Sequence, residues 1–272
     1  SSDLSEFTCP IILSTGMCEM HEIEAAINIL QRKGKKDITL LHCNSSYPTP
    51  MQDVNSRAMQ TLKEYFKLPV YLENYSASLA LIEKNYGRGV EFENFMLMVV
   101  NEGVGAGIIM KDQLYRGVGG FGHEVGHTTI NFSGPKCSCG NRGCLEVYTS
   151  IPSVLKAIAG KGVVLSSWKE VVDKALDGDK ICKKAVEDEA YYLAAGITNA
   201  INILELEAVI LIGDIIYKPE LLLNLIRKNV ENTAITRYLR KLPIMCSSIT
   251  CDVEVKAAAA VIIEKFFKWS QT

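Results

Sequence analysis

The chain has 272 residues, 48% of them hydrophobic and 22% charged, with 29 basic and 31 acidic residues and a formal charge of −2. That length can bury a sizeable core in one or two domains. The near balance of charge argues against a broad surface for nucleic acid or anionic lipid. The longest stretches without a charged residue, 38–52 and 190–204, are interrupted by polar or breaking residues such as Asn44, Pro48, Asn199 and Asn202. Both fall short of the roughly 20 apolar residues that a membrane-spanning helix needs. No charged-then-apolar leader opens the chain, and a first residue other than methionine reads as a fragment or processed piece. Three of the nine cysteines crowd into 137–144, which in a cytoplasmic setting, the default here, favours a metal over disulfides.

In chain order, residues 10–13 form a short apolar strand that runs into Ser14-Thr15-Gly16. Residues 21–32 carry Ile23, Ala26, Ile27 and Leu30 at helical spacing and stop at Gly34. A second buried-strand pattern at 38–41 precedes a proline-marked loop at 47–50, a helix over 54–66 and a third strand from 70 to 72. That alternation predicts a parallel sheet covered by helices. The apolar runs 95–100 and 104–110, split by Asn101-Glu102-Gly103, and the turn at 111–113 into Leu114-Tyr115 predict a β-meander. A glycine- and cysteine-rich loop fills 117–143. The remainder reads as helical with one buried strand, 208–212, and closes on an apolar-faced helix over 253–269.

Cys137, Cys139 and Cys144 place three thiols within eight residues, and Gly140 and Gly143 let the backbone fold back so that the sulfurs converge. A tetrahedral zinc wants a fourth ligand, and His127 lies ten residues upstream. One histidine and three cysteines make a closed, structural kind of site. Free buried thiols in a turn are the alternative.

The segment Gly122-His123-Glu124-Val125-Gly126-His127, followed by Cys137-x-Cys139-Gly140-Asn141-Arg142-Gly143-Cys144-Leu145-Glu146, resembles the signature of the ROK family of sugar kinases and sugar-responsive repressors. The resemblance runs from about residue 68 to the C-terminus. It implies an α/β fold of the ribonuclease H-like, actin-like ATPase superfamily, with an incomplete or replaced N-terminal lobe, and a homodimer. It also implies that Asn74, Glu124, His127 and Glu146 hold sugar hydroxyls, with His127 using one ring nitrogen for zinc and the other for the sugar. Coordination through one nitrogen fixes the tautomer of the other. Read without the family, Glu124 is a solvated loop acid and Glu146 a helix-start residue near the positive end of the dipole.

Four departures set the chain apart from the kinases of that family. Tyr75 stands where they carry the aspartate base, and a phenol with a reference pKa near 10 is a poor proton acceptor at pH 7. Their Asp-x-Gly-Gly-Thr phosphate hairpin is absent. The second phosphate loop matches Asn101-Glu102-Gly103-Val104-Gly105-Ala106-Gly107, but Glu102 brings a carboxylate beside glycines that should receive phosphate. Those glycines read equally as a tight turn. A nucleotide-side glycine pair appears as Gly213-Asp214. The expectation is therefore a kinase-inactive, sugar-binding domain with structural zinc, related to a repressor's effector domain. An ATP-dependent sugar kinase using Mg-ATP is the alternative. The family's repressors carry a winged helix-turn-helix, and no such pattern is visible here, so the chain by itself is a poor candidate for DNA binding.

Residues 1–69 differ in character. Pro10-Ile11-Ile12-Leu13-Ser14-Thr15-Gly16-Met17 and the stretch 40–50 resemble the middle of the sialic acid synthase barrel. That resemblance implies a metal-ligand position at His42, but the partner histidine is missing, and about two of eight strand–helix units are present. A structural His42 is the simpler reading. The expected division is thus a synthase-like βαβα segment at 1–69 and a sugar-binding domain at 70–272. A remnant of the synthase and a scaffold that binds nothing are further alternatives.

Overall fold

The computed structural model describes residues 11–16, 18–35, 38–41, 56–67, 73–120, 122–235, 241–249 and part of 253–264. His42, the loop at 47–50 and the strand expected at 70–72 lie outside the described residues. The chain divides into two compact units, one of residues 1–72 with 261–272 and the other of residues 73–260.

In the first unit, β1 (Ile11–Ser14) and β2 (Ile38–Leu41) pair in parallel, with Ile11 opposite Ile38 and Ser14 opposite Leu41. Between them runs α1 (Met20–Arg32), and α2 (Ser56–Phe66) follows. The Glu19 N–H donates to Glu22 Oε2 at 2.8 Å at the start of α1, and Gly34 turns the chain with φ 83°. Ile23 and Ile27 of α1 pack with Leu62 of α2, and Ile38, Leu40 and Phe66 join them. Burying each such side chain contributes roughly 1.5–3 kcal/mol.

The second unit is built on a five-stranded sheet. It contains β3 (Phe95–Val100), β4 (Val104–Met110), β5 (Gln113–Leu114), β6 (Ala208–Ile212) and β7 (Ile244–Cys246), in the order β5-β4-β3-β6-β7. The β3–β4 and β4–β5 pairs are antiparallel, and β6 joins β3 and β7 in parallel. The expected meander is present. All six residues of β3 are buried, as a central strand covered on both faces requires. Met96, Met98 and Val100 face a helical layer formed by α5 (Ile151–Ala159), α6 (Trp168–Leu176), α7 (Lys180–Leu204) and α8 (Glu220–Thr233). The other face carries α3 (Tyr75–Tyr86), and a one-turn helix α4 (Glu146–Thr149) precedes α5. Trp168, wholly buried, donates its indole N–H to the Ile215 carbonyl at 3.1 Å.

One expectation needs correction. The C-terminal third holds a second strand, β7, beside the expected 208–212. Three residues between Pro243 and Ser247 are too few to show alternation, and their pairing with β6 is what makes them a strand. Of the closing helix expected over 253–269, helical residues are described only between 253 and 264, with Ala257 and Ala260 buried. No helix among the described residues is long and apolar enough to cross a membrane.

Candidate functional site

The cysteine loop folds as a knuckle. Residues Thr129 and Cys144 form an isolated antiparallel bridge, as do Lys136 and Arg142. The Cys137 N–H reaches the Asn141 carbonyl at 2.8 Å, and the Gly143 N–H reaches that of Pro135 at 2.8 Å. Gly143 adopts φ 61° with the Asn131 backbone against its α-carbon, so only glycine fits. The ligand atoms of His127, Cys137, Cys139 and Cys144 then all lie within 4.8 Å of one another.

This geometry suits a tetrahedral ion. Zinc–sulfur bonds of about 2.3 Å place sulfurs about 3.8 Å apart, and Cys139 Sγ lies 3.7 Å from Cys144 Sγ. His127 turns Nδ1 to Cys137 Sγ at 3.6 Å. Burial alone would raise the Cys137 thiol, but hydrogen bonds from the Cys139 backbone and from the Cys139, Cys144 and His127 side chains outweigh it and bring it down to about 7. Cys144 is pushed up to about 12 by burial and by the sulfurs beside it. Thiolates this close resist ionising together, and a divalent cation among them removes that penalty. The donor set fits zinc.

The segments that carry the residues read as sugar contacts approach β4 at Val104 and Gly105. Asn74 is the N-cap of α3, with Oδ1 accepting the N–H groups of Ser76 at 2.8 Å and Ala77 at 3.3 Å. Its side-chain oxygen is thus engaged in capping, a local task that its position before an apolar helix allows. Tyr75 is the first residue of α3. Glu124 is exposed and starts the short helical turn Val125–His127, which lies so close to β4 that a side chain at Gly126 would strike the Val104 carbonyl. Glu146 opens α4 and reaches across to the β3–β4 turn, where its Oε2 accepts the Val104 N–H at 3.0 Å.

The glycines of the second phosphate loop have other neighbours. Gly103 faces Glu146, and a Cβ there would lie 3.0 Å from Oε2. Gly105 and Gly107 lie within β4, where any Cβ would collide with Ser76 or Ala80 of α3. Their lack of a side chain lets α3 sit directly on the strand. Glu102 is exposed at the turn.

One residue that the sequence offered only as part of the second phosphate loop has a structural task of its own. Asn101 holds the turn from inside: its N–H bonds the Gly103 carbonyl at 3.0 Å, and its own carbonyl accepts the Ile151 N–H at 2.9 Å. Its side-chain Oδ1 accepts the Asp214 N–H at 2.5 Å. Gly213, at φ 111°, lies against that amide and has no room for a side chain. No local signal links Asn101 to Asp214. They meet because β3 and β6 pair in parallel with Val99 opposite Ile212, bringing the two strand ends together.

A family model described as ROK family matches residues 46–262, and one described as NeuB family matches residues 2–82. The xylose repressor of Bacillus spizizenii is 35% identical over 205 residues, covering 75% of this chain and 53% of the repressor. The DNA-binding transcriptional dual regulator NagC of Escherichia coli is 28% identical over 224 residues, covering 79% and 55% respectively. The chain therefore spans about half the length of the curated relatives it matches. Among solved structures, a ROK family transcriptional regulator homologous to the E. coli MLC protein superposes with a TM-score of 0.75 at 24% identity, covering 89% of this chain and 66% of that one. The ROK hexokinase of Thermus thermophilus gives 0.71 at 23%, covering 87% and 82%. At those identities the likeness speaks for the fold alone, a mixed α/β arrangement built on a central sheet. With the match running through the β3–β4 hairpin, the His/Cys knuckle and the helical layer, and the fold in agreement, the chain belongs to the ROK family.

Proposed function

We propose that this chain is a sugar-binding ROK domain with a structural zinc, related to the effector portion of a sugar-responsive repressor, and that it does not transfer phosphate. The observation that carries this reading is the β3–β4 turn. Phosphoryl transfer needs an electrostatic cradle for the nucleotide, yet the Val104 N–H is taken by Glu146 and the Asp214 N–H by Asn101. Glu102 and Asp214 add negative charge where phosphate would approach. Tyr75 supplies no carboxylate base.

In this reading residues 70–272 carry the sugar site and residues 1–69 the synthase-like segment, and the domain acts as a homodimer in the cytoplasm. Asn74, Glu124, His127 and Glu146 accept or donate hydrogen bonds to sugar hydroxyls. Glu146 keeps Oε1 for that purpose, and His127 keeps Nε2 once Nδ1 is on the metal. Zinc bound by His127, Cys137, Cys139 and Cys144 supplies no chemistry to the sugar; it fixes the imidazole and the loop that carries Glu124.

The relatives' names put xylose and N-acetylglucosamine first among the sugars to try, with glucose and N-acetylmannosamine beside them. A thermal-shift series with each sugar, with and without Mg-ATP, on zinc-loaded protein tests the reading. One sugar is expected to raise the midpoint by mass action with no dependence on Mg-ATP. A shift that Mg-ATP enhances, or that decays as sugar is consumed, restores the kinase. No shift with any of the four refutes sugar binding.

A further inference from the structure

The sugar contacts proposed above come from segments far apart in sequence, the start of α3 and residues 124–127, and one side chain connects them. Glu73 Oε1 accepts the Asn74 N–H at 3.1 Å. Its Oε2 receives Arg116 Nε at 2.8 Å and Arg116 Nη2 at 2.6 Å. The pair is largely withdrawn from water, with side-chain exposures of 10% for Glu73 and 25% for Arg116. Arg116 opens the loop that leads to Glu124, and its carbonyl accepts the Gly122 N–H at 3.1 Å. Gly117 and Gly122 approach so closely that a side chain on either would strike the other's backbone. The loop is thus cinched at its base by the residue whose guanidinium holds Glu73.

We propose that Glu73 and Arg116 are positioning residues for the sugar site, setting Asn74 against Glu124 without touching the sugar; the proposal rests on the sugar-binding reading. Loss of the guanidinium takes both nitrogens from Glu73 Oε2 and leaves a largely buried carboxylate to be compensated by water or by a shift of the backbone around it. Two nitrogens of a planar guanidinium fix direction as well as distance, which a lysine ammonium at the same place does not. A displacement at Arg116 therefore passes through Glu73 to the Asn74 backbone, and from there to the cap of α3.

The test compares wild type, Arg116→Lys, Glu73→Gln and the double variant, all as zinc-loaded full chains. Calorimetric titration with xylose, glucose, N-acetylglucosamine and N-acetylmannosamine is paired with amide hydrogen exchange in the absence of sugar. Both single variants are expected to weaken binding at least tenfold while keeping zinc, and the double variant to be no worse than either single one. Exchange is expected to quicken in either variant at both Ser76–Ser78 and Gly122–Glu124, a coupled response that a purely local structural role would not produce. The proposal falls if Arg116→Lys quickens exchange at Gly122 while leaving Ser76–Ser78 as in wild type. It also falls if the variants bind sugar as tightly as wild type. Wild-type protein that binds none of the four sugars refutes the sugar reading itself, and this proposal with it, so the two failures are told apart by the wild-type titration alone.

Discussion

Glu189 lies inside the helical layer at 1% exposure, on the same side of α7 as the buried Cys182, Val186 and Leu193, and neither carboxylate oxygen has a hydrogen-bond partner among the described residues. Burial pushes its pKa well above the ordinary carboxylate value, because a charge in an apolar layer is far costlier than a neutral acid. Between the unfolded and the folded pKa the folded protein thus holds a proton that the unfolded chain has released. Stability is fully present below the unfolded carboxylate pKa and is lost as pH rises toward the folded one. Glu189→Gln is expected to abolish that slope, about 1.4 kcal/mol per pH unit for one proton, and to be more stable than wild type at pH 8. Denaturant midpoints measured from pH 5 to 8 check it; parallel pH curves for the two proteins would refute it. The thiols make a second prediction at this scale. Cys144→Ser is expected to remove bound zinc, from about one per chain to none, and to lower the melting midpoint, since a structural zinc contributes folding energy. Elemental analysis beside a thermal melt checks it, and an unchanged midpoint after metal loss would show that the knuckle stands without zinc.

Among the elements, α3 combines two tasks at one residue. Asn74 caps the helix through Oδ1, while the sugar reading assigns it a ligand contact through the rest of its amide. The tasks separate by substitution. Asn74→Ser keeps a capping oxygen and is expected to stay within about 0.5 kcal/mol of wild type, whereas Asn74→Ala is expected to lose about 1 kcal/mol. Both should lose the sugar response, and a serine variant that still answers sugar would leave Asn74 as a cap only. Much of this level was legible in advance. The apolar runs 95–100 and 104–110 on either side of Asn101-Glu102-Gly103 yield β3 and β4 with those bounds, because hydrophobic runs of that length bounded by turn residues leave few other solutions. The glycines of β4 were legible as glycines but not as packing sites. Their use at Gly105 and Gly107 depends on α3 lying across the strand, and nothing local to either segment announces that crossing.

At the scale of the whole molecule, the ROK and NeuB matches overlap over residues 46–82, and the boundary between the two compact units falls within that overlap, at Leu72 and Glu73. Sequence alone determined the meander, the family and which four residues converge as a candidate metal site, because each rests on spacing along the chain: thiols at short intervals, apolar runs bounded by turn residues, and glycines where the backbone reverses. Tertiary structure alone decided that β7 is a strand, that Asn101 closes on Asp214, that Glu146 caps the Val104 amide and that Glu73 meets Arg116. The last three join residues 113, 42 and 43 positions apart. Such contacts follow from which strands lie side by side in the order β5-β4-β3-β6-β7 and from how the helices and loops cross them. A hydrogen bond or ion pair acts over a few ångströms in space whatever the separation along the chain, so no periodicity or local motif can encode it.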